Sequence, residues 1–312
     1  MFGIQKLHMS SEYHIPVLLH ETIDALNIRP NGAYVDCTFG GGGHSRAILE
    51  KLNEEGRLVA FDQDEEAKKN LPADQRIIFV PQNFRHLQRF LRLHNILSVD
   101  GILADLGVSS HQFDEAARGF SIRFDAALDM RMDQRQTTTA FDIVSSYDER
   151  QLHKMFEQYG EVTNAKTLAK TIVEVRQTTS LKTVEGFKQA ARGIVKGNPN
   201  KYFAQVFQAL RIEVNDELGA LKELLTQIPT LLKPGGRAAI ITFHSLEDRL
   251  VKNFFRRGTF EEAEENPFVM TEPANEMSII TKKPVTAGDR EIKENPRSRS
   301  AKLRVAEKKM MV

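Results

Sequence analysis

The chain has 312 residues, 41% of them hydrophobic and 27% charged, with a formal net charge of +1. That is enough apolar material for two domains, or for one domain with a large insertion, and the charge is too balanced to mark the whole chain as a nucleic-acid binder. A single cysteine, Cys37, excludes an intrachain disulfide and a thiolate zinc cluster; no apolar run approaches the roughly 20 residues of a membrane span; and residues 1–14 lack the apolar stretch of a signal peptide, so the expectation is a cytoplasmic protein with no metal and no membrane partner.

The first third alternates strand and helix patterns. Strands are predicted at Tyr34–Cys37, Arg57–Asp62, Arg76–Val80 and Val99–Asp105, with helical stretches near 44–53, 64–70 and 84–94 between them. Strands alternating with helices imply a parallel sheet. From about Arg118 to Phe203 no buried strand is predicted, and segments such as Asp148–Tyr159 and Asn164–Arg176 read as amphipathic helices. One long helix is expected from about Phe203 to Leu232, bent or broken by Pro229, followed by a turn at Pro234-Gly-Gly236 into a fifth strand, Arg237–Phe243. A helix over 246–257, an acidic surface loop over Thr259–Met277 and two further strand-like pieces, Met277–Lys283 and Ser300–Ala306, complete the pattern. The reading is an α/β fold in which 1–117 and 204–312 form one discontinuous domain and 118–203 a helical insertion. The insertion leaves from the carboxyl edge of the sheet, where open parallel sheets bind ligands, so it is placed to cover a site and contact a substrate.

The most informative stretch is Tyr34–Arg46, in which a short strand runs through Asp36 into Gly40–Gly43 and then a helix. Glycines there let the backbone approach a nucleotide-like ligand and take positive φ. The dinucleotide pattern G-x-G-x-x-G fails, because its sixth position falls on Ser45 or Arg46. Asp36 before the turn would repel a pyrophosphate and suits a cationic ligand with an amino-acid moiety, such as S-adenosylmethionine. Asp62, about 20 residues past the turn, suits the ribose hydroxyls of an adenosine, or else serves with its acidic neighbours as a helix N-terminal charge. Phe84 suits the adenine face, with ordinary core packing as the alternative. Asp105–Gln112 ends the fourth strand where a transferred methyl would sit, although Ser109 and Ser110 also suit a helix cap. Arg211 and Asn215 fall on one helical face, and His244 with Ser245 follows the fifth strand at the same edge. The tail holds Arg290, Lys293, Arg297, Arg299, Lys302, Arg304, Lys308 and Lys309, a basic patch suited to a phosphate backbone, with a solvated terminal face as the plainer alternative.

Taken in order, His14–Leu19, Asp36–Ser45, Asp105–Ser110, Arg118–Ser121, Leu128–Asp133, Phe207–Asn215, Phe243–Arg249 and Asn295–Ser300 resemble the ribosomal RNA small-subunit methyltransferase H family, also called MraW. The resemblance implies a class I S-adenosylmethionine-dependent methyltransferase with a Rossmann-like sheet, acting on the exocyclic N4 of one cytidine in the decoding centre of 16S ribosomal RNA within the small subunit. It implies cofactor contacts by Gly42, Gly43, His44, Asp62, Phe84, Asp105 and Gln112. Candidate catalytic residues are Asp105, Ser109, Ser110, Asn215 and His244, and candidate RNA contacts are Arg211, Arg297 and Arg299. Two stretches of the insertion depart from the family pattern: Ala126-Ala127 stands before Leu128-Asp-Met130 where many relatives have Gly-Pro or Ala-Pro, and Val162–Lys166 follows Tyr159-Gly-Glu161 where many carry an aromatic and arginines. The chemistry agrees: methylation at C5 of a pyrimidine needs a cysteine nucleophile, and Cys37 beside the glycine turn reads as core, whereas an exocyclic amine attacks a methyl group directly when held in line. The residues alone leave open a methyltransferase of another acceptor and a non-catalytic RNA-binding assembly factor; a homodimer is one arrangement open to the chain.

Overall fold

The computed structural model describes residues 16–260 and 275–310. His14, Ile15 and most of the predicted acidic loop lie outside the described residues. Among the described residues, seven strands form one sheet: β1 Ala33–Asp36, β2 Arg57–Phe61, β3 Ile77–Val80, β4 Val99–Asp105, β5 Leu232–Thr242, β6 Met277–Ile279 and β7 Lys302–Lys308, in the order β3-β2-β1-β4-β5-β7-β6. The first five of that order run parallel, and β7 is antiparallel to both β5 and β6. Strand order reverses between β1 and β4, so the loops after these two strands diverge and leave a crevice at the carboxyl edge.

The sheet is covered on both faces. Val35, Val59, Ile102 and Ile240 pack against Leu224, Leu225, Ile228 and Phe254 on one side. Tyr34, Leu58, Leu103 and Ile241 pack against Leu26, Ile48 and Leu49 on the other. The covering helices are α1 Leu19–Leu26, α2 Gly43–Lys51, α3 Leu87–Leu93, α10 Glu217–Leu231 and α11 Ser245–Arg257, to be set beside α4 Ser110–Asp114 at the crevice and α12 Asp289–Glu294 before β7. Burial on both faces explains why these strands read as continuous apolar runs rather than alternating ones.

Between β4 and β5 the chain forms α5 Ala140–Ser146, α6 Glu149–Gly160, α7 Ala165–Val175, α8 Val184–Ala191 and α9 Pro199–Asn215. Their apolar faces make a separate core around Phe156, Leu168, Ile172, Phe187 and Phe207. The sequence reading ends the insertion at 203, whereas this apolar cluster runs on to Val214. Capping boxes start α5 at Thr139 and α6 at Asp148; α6 and α7 match the amphipathic helices expected over Asp148–Tyr159 and Asn164–Arg176, whereas the short α5 was not predicted.

Two local expectations are corrected. The long helix predicted over 203–232 is two helices, and the break is at Asp216, not Pro229, which sits inside the last turn of α10. Asp216 takes a left-handed conformation (φ 46°) that a short polar side chain tolerates, and Arg85 pairs with its carboxylate. The predicted turn at Pro234-Gly-Gly236 is instead a bulge inside β5: Val99 pairs with Leu232 and Gly101 with Arg237, so the extra residues loop out, with Gly235 at φ 76°.

Candidate active site

A cavity opens at the switch point between β1 and β4. It is lined by the glycine turn, by Asp62 and Gln63 after β2, by Gln82, Asn83 and Phe84 after β3, by Asp105–Ser110 and Gln112 after β4, and by Phe243 and Glu247 after β5. Met132 enters from the insertion, Asn215 and Glu217 come from the α9–α10 junction, and Arg297 stands on the tail side.

The turn is held from below. Asp36 is 1% exposed and does not line the cavity; its carboxylate accepts from the Ser45 hydroxyl at 2.6 Å and from the Thr38 backbone at 3.0 Å. The expectation that Asp36 meets a cationic ligand is therefore corrected: it ties the strand end to α2. Gly40 and Gly42 have φ of 49° and 74°, and a Cβ on Gly43 would sit 2.1 Å from Pro16 Cγ. The glycines thus serve positive φ at two positions and close packing on the segment before α1 at a third.

Asp62 accepts from the Gly40 amide at 2.7 Å and the Asp64 amide at 2.8 Å, fixing the turn to the end of β2. Burial, together with the neighbouring Asp64 and Asp36 charges, pushes its carboxyl up to about 7 against the pull of those two amides. Phe84 lines the cavity beside Asn83, whose amide donates to Gln63.

Asp105 ends β4. Its backbone N–H donates to Thr38 Oγ1 at 2.7 Å, and its Oδ2 lies 3.8 Å from His44 Nδ1. Its Oδ1 is buried and accepts no hydrogen bond from any described residue. Burial first, and then the Asp36 and Glu247 charges, raise the Asp105 carboxyl well above the ordinary range. Such a carboxylate gains from a cation or a hydrogen-bond donor placed in the cavity. His44, 6% exposed, has its Nε2 at 3.1 Å from the Val17 carbonyl.

Ser109 caps α4 in a capping box with Gln112, so the capping alternative holds for Ser109 while both Ser109 and Ser110 line the cavity. Gln112 is buried and spans two elements: its Oε1 accepts from the Ser109 amide and its Nε2 donates to Asp64 Oδ2 at 2.8 Å.

Other predicted residues are committed elsewhere. Asn215 lines the cavity, but its amide donates to the carbonyls of Met130 and Arg211 and its oxygen accepts from the Met132 amide. Arg211 forms a two-pronged ion pair with Glu217 and is 18% exposed, so it offers no free guanidinium. His244 caps α11, lies against Glu247 at 3.3 Å and does not line the cavity. Glu247, 2% exposed, does line it, with Phe243; burial alone would raise its carboxyl, but His244 and Arg211 hold it below the usual range.

Of the basic tail, Lys302, Arg304 and Lys308 are taken into β7, and several of its charges are paired. Arg304 and Lys302 pair with Asp248, Arg290 pairs with Glu294, and Lys308 approaches Glu276. Arg297 stands at the cavity, bound to Asp114 and stacked 5.3 Å from the Phe113 ring centroid, and Arg299 is exposed. Cys37 is 1% exposed, and burial holds its thiol well above its ordinary value, so it is not a thiolate nucleophile.

Sequence reasoning missed Thr38, Met132 and Glu247. Thr38 and Glu247 act through hydrogen bonds between distant elements, and Met132 lies in an irregular loop without periodicity.

A parallel sheet that reverses at β1/β4, ends in an antiparallel β7 and carries a glycine turn with two strand-end carboxylates around one cavity defines the class I methyltransferase fold. The family model for the MraW methylase family matches residues 11–309, and the chain belongs to that family. Proteins named ribosomal RNA small subunit methyltransferase H are its close relatives. That of Bacteroides thetaiotaomicron is 52% identical over 298 residues, covering 95% of this chain and 98% of its own. Those of Flavobacterium johnsoniae and Azobacteroides pseudotrichonymphae are 52% and 53% identical, each again over 95% of this chain and over 98% and 97% of their own. Among the described residues no helix is long and apolar enough to cross a membrane.

Proposed function

We propose that this protein is an S-adenosylmethionine-dependent methyltransferase of 16S ribosomal RNA in the small subunit, and that its acceptor is the exocyclic N4 of a cytidine in the decoding centre. The observation that carries the reading is Asp105, whose buried Oδ1 is an unsatisfied acceptor in the wall of the cavity that Asp62 and Phe84 also line. The names of relatives at 50% identity and above support the RNA substrate.

The residues fit the cofactor: the backbone of Gly40, Gly41 and Gly43 lines the cavity, Asp62 offers carboxylate oxygens for a ribose, Phe84 an adenine face, and the acidic lining suits a positive charge. Gly43, His44 and Gln112 line the cavity too, whereas Gly42 does not and packs against the Phe39 ring, so its part is to shape the turn. When bound, the cofactor supplies an electrophilic methyl on a sulfonium. At the methyl end, Asp105 orients an amine by accepting its N–H, which frees the nitrogen lone pair from the ring. The nitrogen so held would form the N–C bond as the cofactor's S–C bond broke, and the amine's proton would pass to a carboxylate or to solvent. Ser109 and Ser110 shape that end. Asn215, His244 and Arg211 are bonded to other protein groups and take supporting roles, while Arg297, paired with Asp114 but more exposed than Arg211, and the exposed Arg299 are the arginines proposed for the RNA backbone. A base in folded RNA has to be extruded to reach such a cavity, at about a few kcal/mol.

The test is transfer of a labelled methyl from S-adenosylmethionine to small subunits lacking the modification, with RNA and protein separated afterwards. Label in the RNA supports the reading. Label in protein, or none despite cofactor binding, contradicts it.

A further inference from the structure

The insertion reaches the cavity through one irregular segment, Met130–Met132, and that segment is held by side chains from other elements. The Arg118 guanidinium donates to the carbonyls of Arg131 and Met132 at 2.9 and 3.1 Å and pairs with Asp64 Oδ2 at 2.8 Å. On the other side, Asn215 donates to the Met130 carbonyl at 2.8 Å and accepts from the Met132 amide at 2.7 Å. Three consecutive carbonyls and one amide are thus satisfied by two side chains rather than by a helix or sheet. Both clamps are buried, Arg118 at 7% and Asn215 at 8% exposure.

The segment adopts a conformation it would not choose alone. Met130 has φ 63°, in the left-handed region that an unbranched non-glycine residue seldom occupies, and such backbone persists only where its surroundings over-determine it. The product of this bonding is the placement of Met132, whose sulfur lies 3.2 Å from Gln63 Nε2, one residue past Asp62, in the wall of the cavity.

Asp64 makes the arrangement continuous with the sheet. It takes Arg118 and Gln112 on one oxygen and caps the turn after β2 with the other. The ion pair therefore joins the end of β2, the α4 capping box and the start of the insertion at one buried point.

We infer that Arg118 and Asn215 are positioning residues that hold Met132 of the insertion as a wall of the nucleoside end of the cavity, so that order in the Met130–Met132 segment and cofactor binding are coupled. This rests on the reading of the cavity as the cofactor site. An adenosine seated between Asp62 and Phe84 packs against the Met132 thioether, a soft surface suited to an aromatic face. Coupling is reciprocal: a ligand that needs the segment in place also stabilises it. The insertion is then part of the cofactor site as well as the candidate substrate surface, and loosening it weakens cofactor binding without touching the groups at the methyl end.

The experiment uses the full chain and S-adenosylhomocysteine as the probe. Affinity is measured by calorimetry for the wild type, Met132→Ala, Arg118→Lys and Arg118→Met, with amide hydrogen exchange followed over residues 128–139 with and without the probe. Arg118→Met leaves Asp64 buried without its partner and risks unfolding, so Met132→Ala, which removes only the wall, carries the test independently. The inference expects the probe to slow exchange at the Met132 amide in the wild type. It expects Met132→Ala to weaken binding about tenfold, with the KM for the cofactor rising and kcat changed by less than about twofold. It expects Arg118→Lys, which keeps a charge for Asp64 but lacks the fork for two carbonyls, to fall between wild type and Arg118→Met. If the probe binds the wild type, yet Met132→Ala binds it equally well and exchange at residues 130–132 does not respond, the inference is overturned. If the probe does not bind the wild type at all, the reading of the cavity as a cofactor site falls, and this inference with it.

Discussion

With the ribose contact proposed for Asp62, its carboxyl, pushed up to about 7, should make cofactor affinity depend on pH near neutrality. Burial and the Asp64 and Asp36 charges favour the protonated form, while a ribose held by two hydrogen bonds favours the carboxylate. With the titration centred near 7, about one molecule in eleven carries the charged form at pH 6 and about ten in eleven at pH 8, so affinity rises about tenfold over that interval. The same shift has a stability sign. The folded-state value lies above that of the unfolded chain, so the contribution of this group is full below the ordinary carboxylate range and is lost as pH rises through 7. The ligand-free protein thus grows less stable over that window, and bound cofactor offsets the loss. The assay is calorimetric titration with S-adenosylhomocysteine at pH 6, 7 and 8 for wild type and Asp62→Asn. The ligand's own amino group and the other carboxyls of the cavity are present in both proteins, so the difference between the two reports Asp62. The substitution also sets an amide NH₂ or a weaker carbonyl against the Gly40 and Asp64 N–H groups, which lowers affinity at every pH. Parallel pH profiles for the two proteins, or wild-type affinity that falls from pH 6 to 8 relative to the variant, would refute the reasoning.

Asp105→Asn should lower kcat by about 100-fold, the scale of a lost general base or orienting acceptor, with cofactor affinity reduced less; near-normal turnover in single-turnover assays would remove Asp105 from the chemistry. Cys37→Ala should keep methyl transfer within a few-fold of wild type at a stability cost of about 1 kcal/mol, and an inactive but folded variant would point to a thiolate mechanism. Gly43→Ala forces its Cβ onto Pro16 and should destabilise by about 1–3 kcal/mol while weakening cofactor binding; an unchanged melting temperature would contradict the packing described. Arg297→Ala with Arg299→Ala should lower RNA affinity and reduce the salt slope by about 0.7–0.9 for each phosphate that is no longer neutralised, and an unchanged slope measured by filter binding from low to moderate salt would exclude both arginines from the RNA backbone.

The sheet was legible because its strands are buried on both faces and punctuated by acids and glycines; β4 matches its predicted bounds, Val99–Asp105. The carboxyl-edge residues Asp62, Phe84 and Asp105 were legible for the same reason, since the residue following a parallel strand is carried to the crevice by topology alone. What the sequence hid is long-range bonding. Asp36 and Asp105 both end strands after apolar runs, yet Ser45 and Thr38 engage the first below the turn while the second faces the cavity. Arg211 and Asn215 share a helix face as expected, but Glu217 and the Met130–Met132 backbone occupy them, partners supplied by the helix break at Asp216 and an irregular loop that no periodicity announces. The tail's charge count overstated its free surface because β7 pairs Lys302 and Arg304 with Asp248 of α11.

The central claim is methyl transfer to the N4 of a single cytidine. The most direct measurement incubates purified protein and labelled S-adenosylmethionine with small ribosomal subunits lacking the modification, then digests the RNA and identifies the labelled nucleoside and its position by mass spectrometry. The account predicts label in N4-methylcytidine at one decoding-centre position, and loss of that label with Asp105→Asn. Label in any other nucleoside, or at many positions, would contradict it.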